Sequence, residues 1–397
     1  MNPALKKVLL GPEGTYMLNR TLLLCLFALL PACRETPPHA RQEPRESMQP
    51  RYAKGFSAEH RPDGVSILTV RNPWPGASRE FRYALVPGQE VPRYTGMADS
   101  LDAVIGVPVQ RVVLTSTTHI PSLEALGLQE RLVGFPGMDY VSSPLTRQRM
   151  ADGLVEELGA NEHLNTEKVL ALQPDLVMGF GVSGIPRHYQ AIQASGIPLV
   201  LNGDWMEEDP LGKAEWILLF GLLFGREQEA EKVFKTIETE YLEARRLASG
   251  SENMPTVLSG SLYRDVWYLP GGNSWAASFI RDSHARYLWG DTGERGSLSL
   301  SLEAVLERAT EAEFWIAPSQ FVSYGEMAAA NPHYQQFRAF RERKVLTYAR
   351  SLGPGKGMLY FELGPNRPDL VLKDLIYWFH PGLLPDYEPV FFKPLTE

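Results

Sequence analysis

The chain has 397 residues, 44% of them hydrophobic, a net charge of −8 and two cysteines. The acidic balance argues against nucleic acid and against an anionic membrane surface as partners. So few cysteines exclude a disulfide framework, and the fold must rest on an apolar core, large enough here for two domains.

The first readable segment starts at Met17. It runs Met17-Leu18-Asn19-Arg20, then an apolar stretch from Leu22 to Leu30, then Pro31-Ala32-Cys33. A charged start, an apolar middle and small residues before a cut are the layout of a secretory leader. The run is too short to span a bilayer, which takes ~20 apolar residues. Cys33 at the cut resembles a bacterial lipobox, in which the thiol is lipidated and becomes the new N-terminus. Pro31 departs from the commonest form of that motif. Residues 1–16 fit no leader pattern, so Met17 reads as a translation start. Segment 1–33 is thus expected to be a leader with Cys33 its lipidation site. The mature protein would sit in the periplasm or at the cell surface, held to a membrane by its lipid. Cys25 would leave with the leader, so no thiol nucleophile and no Cys-ligated metal site would remain. Residues 34–50, rich in Pro, Arg and Glu, read as a disordered tether.

Two strands are expected next, over Val65–Val70 and Glu80–Val86, around an Asn-Pro-Trp-Pro-Gly turn. A βα rhythm follows. Strands are expected at Arg111–Leu114, Leu132–Phe135, Asp175–Phe180 and Ile197–Leu201, with helices at Ser122–Leu126, Thr166–Leu172 and His188–Ala194. A helical region from Lys213 to Phe224 leads into an amphipathic helix, Arg226–Leu247, that is ~30 Å long at ~1.5 Å per residue. The rhythm then resumes. Strands are expected at Thr256–Ser259, Glu313–Ala317 and Lys344–Tyr348, and helices at Trp275–Asp282, Leu302–Ala309, Asn331–Phe340 and Asp369–Phe379. Short apolar strands alternating with helices imply parallel sheets covered on both faces. The reading is an α/β fold of two Rossmann-like lobes, 51–210 and 251–397. The helical region 211–250 joins them, and a ligand cleft lies between them. Thr166–Phe180 and Ser301–Ile316 echo each other, each a short helix opening near a Glu and leading to a strand.

Several runs carry a family resemblance. They are Arg111-Val112-Val113, Glu124-Ala125-Leu126-Gly127, Arg131-Leu132-Val133-Gly134, Asn165 through Val177, Gly196 through Val200 and Leu302 through Leu306. The most specific is Glu167-Lys168-Val169-Leu170-Ala171-Leu172-Gln173-Pro174-Asp175-Leu176-Val177. Over about Arg111 to Phe379 the chain resembles the substrate-binding proteins of ABC importers for iron-siderophores, haem and vitamin B12. The resemblance implies a non-enzymatic, monomeric protein. It would capture a metal chelate, an iron-siderophore first and cobalamin next, and deliver it to an ABC permease–ATPase complex. No cofactor is implied beyond that ligand.

Other readings start from single motifs. Gly179-Phe180-Gly181-Val182-Ser183-Gly184 is a G-x-G-x-x-G after a strand, with Asp204 beyond the next strand, as in a secreted NAD-type oxidoreductase. Ile185-Pro186-Arg187 delays the helix that would face a pyrophosphate. Gly272-Asn273-Ser274-Trp275-Ala276 misses a nucleophile elbow at its last position. A surface module without a small ligand is the remaining alternative. His163, His188, His284, His333 and His380 form no spaced metal pair. His119, after a strand end, is a candidate for the cleft. The aromatics Tyr140, Phe180, Trp205, Tyr263, Trp267 and Trp275 fall at strand ends or in loops, where a planar ligand would find walls. By resemblance, Phe180, Trp267 and Arg367 match ligand-facing positions, the arginine suited to gripping an oxygen pair. Glu167 and Glu303 match the two glutamates, one per lobe, that dock on the permease. A single-helix joint implies limited lobe motion.

Overall fold

The computed structural model describes residues 47–94 and 100–397. The leader, Cys33 and most of the tether lie outside the described residues. Among the described residues no helix is long and apolar enough to cross a membrane.

The chain first builds a small sheet of its own. Strands β1 (Phe56–His60), β2 (Ser66–Val70) and β3 (Phe81–Pro87) are antiparallel, and β4 (Ala103–Val107) joins parallel to β3. Val65, Ile67, Ala84, Val86 and Tyr94 pack together on it. Buried carboxylates fix its leading segment to the helices beyond. Glu215 accepts from the backbone N–H groups of Arg51, Tyr52 and Ala53 at 2.8, 2.7 and 2.8 Å. Glu207 accepts from Lys54 and Gly55 and from the Trp216 indole. Glu238 takes the Tyr52 hydroxyl and the Arg51 guanidinium. These contacts supply partners for backbone donors that no strand pairs.

The first lobe follows. Its elements are β5 (Val112–Leu114), α1 (His119–Ala125), β6 (Leu132–Phe135), α2 (Pro144–Ala151), β7 (Glu156–Glu157), α3 (Thr166–Leu172), β8 (Leu176–Gly179), α4 (Arg187–Ala194) and β9 (Leu199–Leu201). The sheet is parallel, in the order β9-β8-β5-β6-β7. The order reverses beside β5, so the ends of β5 and β8 form the switch point where open α/β sheets hold ligands. The edge strand β9 is not left bare, since the Leu201 N–H donates to the Tyr83 hydroxyl of the small sheet at 3.2 Å.

The helical region expected from Lys213 to Phe224 starts earlier, at Pro210, and is broken at Trp216. α5 (Pro210–Glu215) is capped by Asp209, Trp216 interrupts, and α6 (Ile217–Phe224) runs wholly buried to Gly225 at φ 66°. Then α7 (Glu227–Ala248), 22 residues long, joins the lobes and buries Ala230, Phe234, Ile237, Tyr241, Ala244 and Ala248. Gly221 lets α6 lie close on α7, because a Cβ there would be 2.8 Å from that of Ala230.

The second lobe comprises β10 (Thr256–Ser259), β11 (Ser261–Tyr263), β12 (Val266–Pro270), α8 (Trp275–Asp282), β13 (Arg286–Tyr287), β14 (Ser297–Leu300), α9 (Leu302–Ala309), β15 (Phe314–Ile316), α10 (Tyr324–Ala330), β16 (Val345–Thr347), α11 (Leu359–Leu363), α12 (Pro368–Phe379) and β17 (Lys393–Pro394). Its main sheet runs β13-β10-β15-β16-β17, parallel except for β17, and β11-β12-β14 form an antiparallel side sheet. The helix expected over Asn331–Phe340 is instead a 3₁₀ turn, Pro332–Gln336, and a short helix, Arg338–Arg341, because Phe337 is extended between them. Asp374, fully buried, accepts from the Tyr387 hydroxyl and from the N–H groups of Val390, Phe391 and Phe392. That carboxylate seats the C-terminal segment that ends in β17.

Candidate functional site: the face between the lobes

Among the described residues the lobes touch on two sides. On the α7 side, the Lys213 ammonium donates to the carbonyls of Asp204 and Trp205 at 2.9 and 3.0 Å and lies 5.3 Å from the centre of the Trp275 ring. Burial lowers this lysine to about 8, offset in part by Asp204 and Glu207, so it stays charged at neutral pH. Arg295 and Glu208 pair nearby at 2.9 Å. On the opposite side, Glu362 on α11 accepts from the N–H groups of Ser142 and Ser143 at 2.6 and 2.7 Å. Asn366 accepts from the Ser122 hydroxyl at 2.6 Å and donates to the Thr118 carbonyl at 2.8 Å.

A ladder of aromatic rings in the second lobe leads from Trp275 to Tyr360, which is buried against Phe391 and Phe392 two residues before Glu362 on α11. Trp275 stacks on Tyr360 with centroids 5.8 Å apart, and Tyr360 stacks on Tyr348 at 4.9 Å with the planes 7° apart. Phe361 meets Tyr348 at 5.1 Å and is half exposed. Tyr348 follows β16 directly and also meets Phe392 of the C-terminal segment at 6.0 Å. The first lobe opposes this with hydroxyls, backbone donors and carboxylates. Tyr140, 58% exposed, and Trp205, 40% exposed, flank the boundary from its loops.

Of the residues singled out by sequence, Trp275, Tyr140 and Trp205 fall at this boundary. Phe180 is half-buried in the loop after β8. Tyr263 is exposed on the side sheet, with ring contacts to Tyr268 and Arg264. Trp267 is corrected. It is fully buried among Trp315, Tyr334 and Phe337, and its indole donates to the Ser259 carbonyl. On β12 it alternates with Tyr268, so Tyr268 takes the outer face and Trp267 the core. His119 is also sealed from solvent. It is 1% exposed, and burial lowers it to about 4, so the ring is neutral. Arg367 does not present a free fork, because its Nε and Nη2 bind both oxygens of buried Asp369 at 2.8 and 2.6 Å. Tyr348, Tyr360, Phe361 and Glu362 were missed. The Phe-Glu pair within Tyr360-Phe361-Glu362 and the Gly-Pro-Gly-Lys-Gly before it were the available signals.

The glycine fingerprint is occupied by the protein itself. A Cβ at Gly181 would lie 2.6 Å from the Trp74 ring and 2.7 Å from the Gly184 carbonyl, and one at Gly179 would strike Tyr189. These glycines admit side chains of the fold, and Trp74 stands where a pyrophosphate would approach. Ser274 caps α8 and donates to the Gly271 carbonyl, a structural role. Glu167 and Glu303 are exposed in the first turns of α3 and α9, each following a capping side chain, Asn165 or Ser301. Its own backbone N–H and the Ser301 hydroxyl hold the Glu303 carboxyl below its ordinary value.

The sequence matches the model of the periplasmic binding protein family over residues 112–352. The chain belongs to that family. Its members deliver ligand to ABC permeases and work outside the cytoplasm. An uncharacterized lipoprotein of Methanocaldococcus jannaschii is 26% identical over 287 residues, 70% of this chain and 67% of that one. The periplasmic haem-binding protein RhuT of Roseiflexus sp. RS-1, in apo form, is 25% identical with a TM-score of 0.54, over 69% of this chain and 99% of its own. A periplasmic haem-binding protein of Pseudomonas aeruginosa is similar in fold, at 21% identity and a TM-score of 0.55, over 73% of this chain and 99% of its own. The periplasmic-binding-protein match begins after β4, so the small N-terminal sheet lies outside it.

Proposed function

We propose that this protein is the extracytoplasmic solute-binding component of an ABC importer for a metal chelate. An iron chelate is the first candidate, a siderophore complex or haem, and cobalamin the next. The observation that carries the reading is the aromatic cluster of Trp275, Tyr348 and half-exposed Phe361 on the second lobe, backed by buried Tyr360. Large planar ligands are held by apolar walls with a few polar groups to orient them. Here the walls are aromatic on the second lobe and polar on the first. The similarity to RhuT of Roseiflexus sp. RS-1, a haem-binding protein, supports a chelate of that size. Cys33 would tether the protein by lipid, and Glu167 and Glu303 would orient it on the permease.

Titration with hemin, a panel of ferric siderophores and cyanocobalamin tests the reading. One class should quench tryptophan fluorescence, and Trp275→Ala should weaken its binding about tenfold, the order expected of losing a stacked aromatic contact. No response to any compound would remove the proposal.

A further inference from the structure

The second lobe lays a strap on the first. Gly353, Gly355 and Gly357 fall at alternate positions, and a Cβ at each would collide with Ser142, with the Asp139 carbonyl and with the Tyr140 carbonyl respectively. The Lys356 N–H donates to that Asp139 carbonyl at 2.7 Å. Behind the strap sits Glu362, 2% exposed, its two oxygens on the N–H groups of Ser142 and Ser143. Ser143 also turns its hydroxyl to Glu124 on α1, as does Thr146. Two carboxylates, one from each lobe, thus share one serine. Arg147 on α2 donates to the Met138 and Val141 carbonyls and weakly favours the charged form of Glu362. Lys356 and Asp139 pair at the rim at 3.3 Å. Tyr360 is the neighbouring titratable group on the same helix.

We propose that Glu362 and the glycine strap form an interlobe latch whose closure takes up a proton, so that acid holds the lobes shut and rising pH releases them. Two buried carboxylates bridged by a single residue cannot both ionise cheaply, and a proton on one relieves the pair. Burial raises Glu362 to about 7 in the closed contact; the Ser142 and Ser143 N–H groups oppose this by favouring the charged form, and Glu124 adds a smaller push upward. With the lobes parted, water returns it toward an ordinary ~4.3. The closed form therefore holds the proton more tightly. The extra closure is complete below the ordinary carboxylate value and is lost as pH rises through about 7. The latch does not depend on which ligand binds. Its consequence for capture, retention in acid and release toward alkali, rests on the solute-binding reading.

Hydrogen exchange of the full chain without ligand tests the latch at the Ser142 and Ser143 amides, corrected for intrinsic exchange. Their protection should fall about tenfold or more between about pH 5.5 and about pH 8.5, while the amides of α7 stay unchanged as the fold reference. Glu362→Gln should abolish that pH dependence. Gly357→Ala should lift the strap and lower protection at both pH values. Flat protection in the unsubstituted protein, or a pH dependence that survives Glu362→Gln, would overturn the proposal.

Discussion

The two lobes share an architecture and differ in chemistry. Each is a parallel sheet whose edge is closed by a terminal segment. The small sheet's Tyr83 covers the Leu201 edge of the first, and β17 pairs with β16 in the second. Yet the first lobe brings serines, backbone donors and Glu124 to the boundary, and the second brings stacked rings, a glycine strap and Glu362. A shared scaffold can carry unlike surfaces, because the sheet fixes only where its loops emerge. The unlikeness suits a ligand with a flat apolar body and a polar rim.

Substitutions can break this comparison. The largest effect is expected at Trp267, whose removal leaves a cavity in the aromatic core of the second lobe. Trp267→Ala should cost about 3–5 kcal/mol of stability by thermal or chemical unfolding. If it weakened ligand binding without a change in stability, the indole would belong to the boundary instead. Next is the attachment of the small sheet's leading segment to α5. Glu215→Ala strips three backbone N–H groups of their acceptor and should cost about 2–3 kcal/mol, with faster exchange at Arg51–Ala53. Unchanged exchange there would mean the small sheet is held by other contacts. The double reversal Glu167→Arg with Glu303→Arg should leave stability within about 0.5 kcal/mol and ligand affinity unchanged while abolishing uptake. Normal transport would separate these residues from docking. Smallest of all is the change in size on ligand binding. The lobes already touch on both sides of the aromatic cluster, so below about pH 6, where the latch is shut, small-angle scattering should give nearly the same radius of gyration with and without a bound chelate.

Much of the scaffold is legible in the sequence, because local signals agree there. Trp275–Asp282 is framed by the Ser274 cap, and Thr166–Leu172 by Asn165 and a left-handed Gln173 before Pro174. The long helix shows its apolar stripe from Ala230 to Ala244. The boundary chemistry is less legible, because it depends on partners far along the chain. The strap reads as an ordinary loop until the Asp139–Ser142 backbone of the other lobe is laid against its glycines. The glycine fingerprint misleads for the same reason, since Trp74, more than a hundred residues earlier, fills it. Trp267 is misread for a nearer cause. The alternation Trp267-Tyr268-Leu269, set against Leu298 and Leu300 on β14, marks the indole as inward.

The most direct test of the account is an absorption and fluorescence titration of the protein with hemin, ferric siderophores and cyanocobalamin, repeated on Phe361→Ala and Trp275→Ala. The account predicts a saturable shift in the visible band of one chelate class, with matching tryptophan quenching, weakened about tenfold in both variants. Binding that is equally tight in both variants would contradict the aromatic cluster as the ligand's wall.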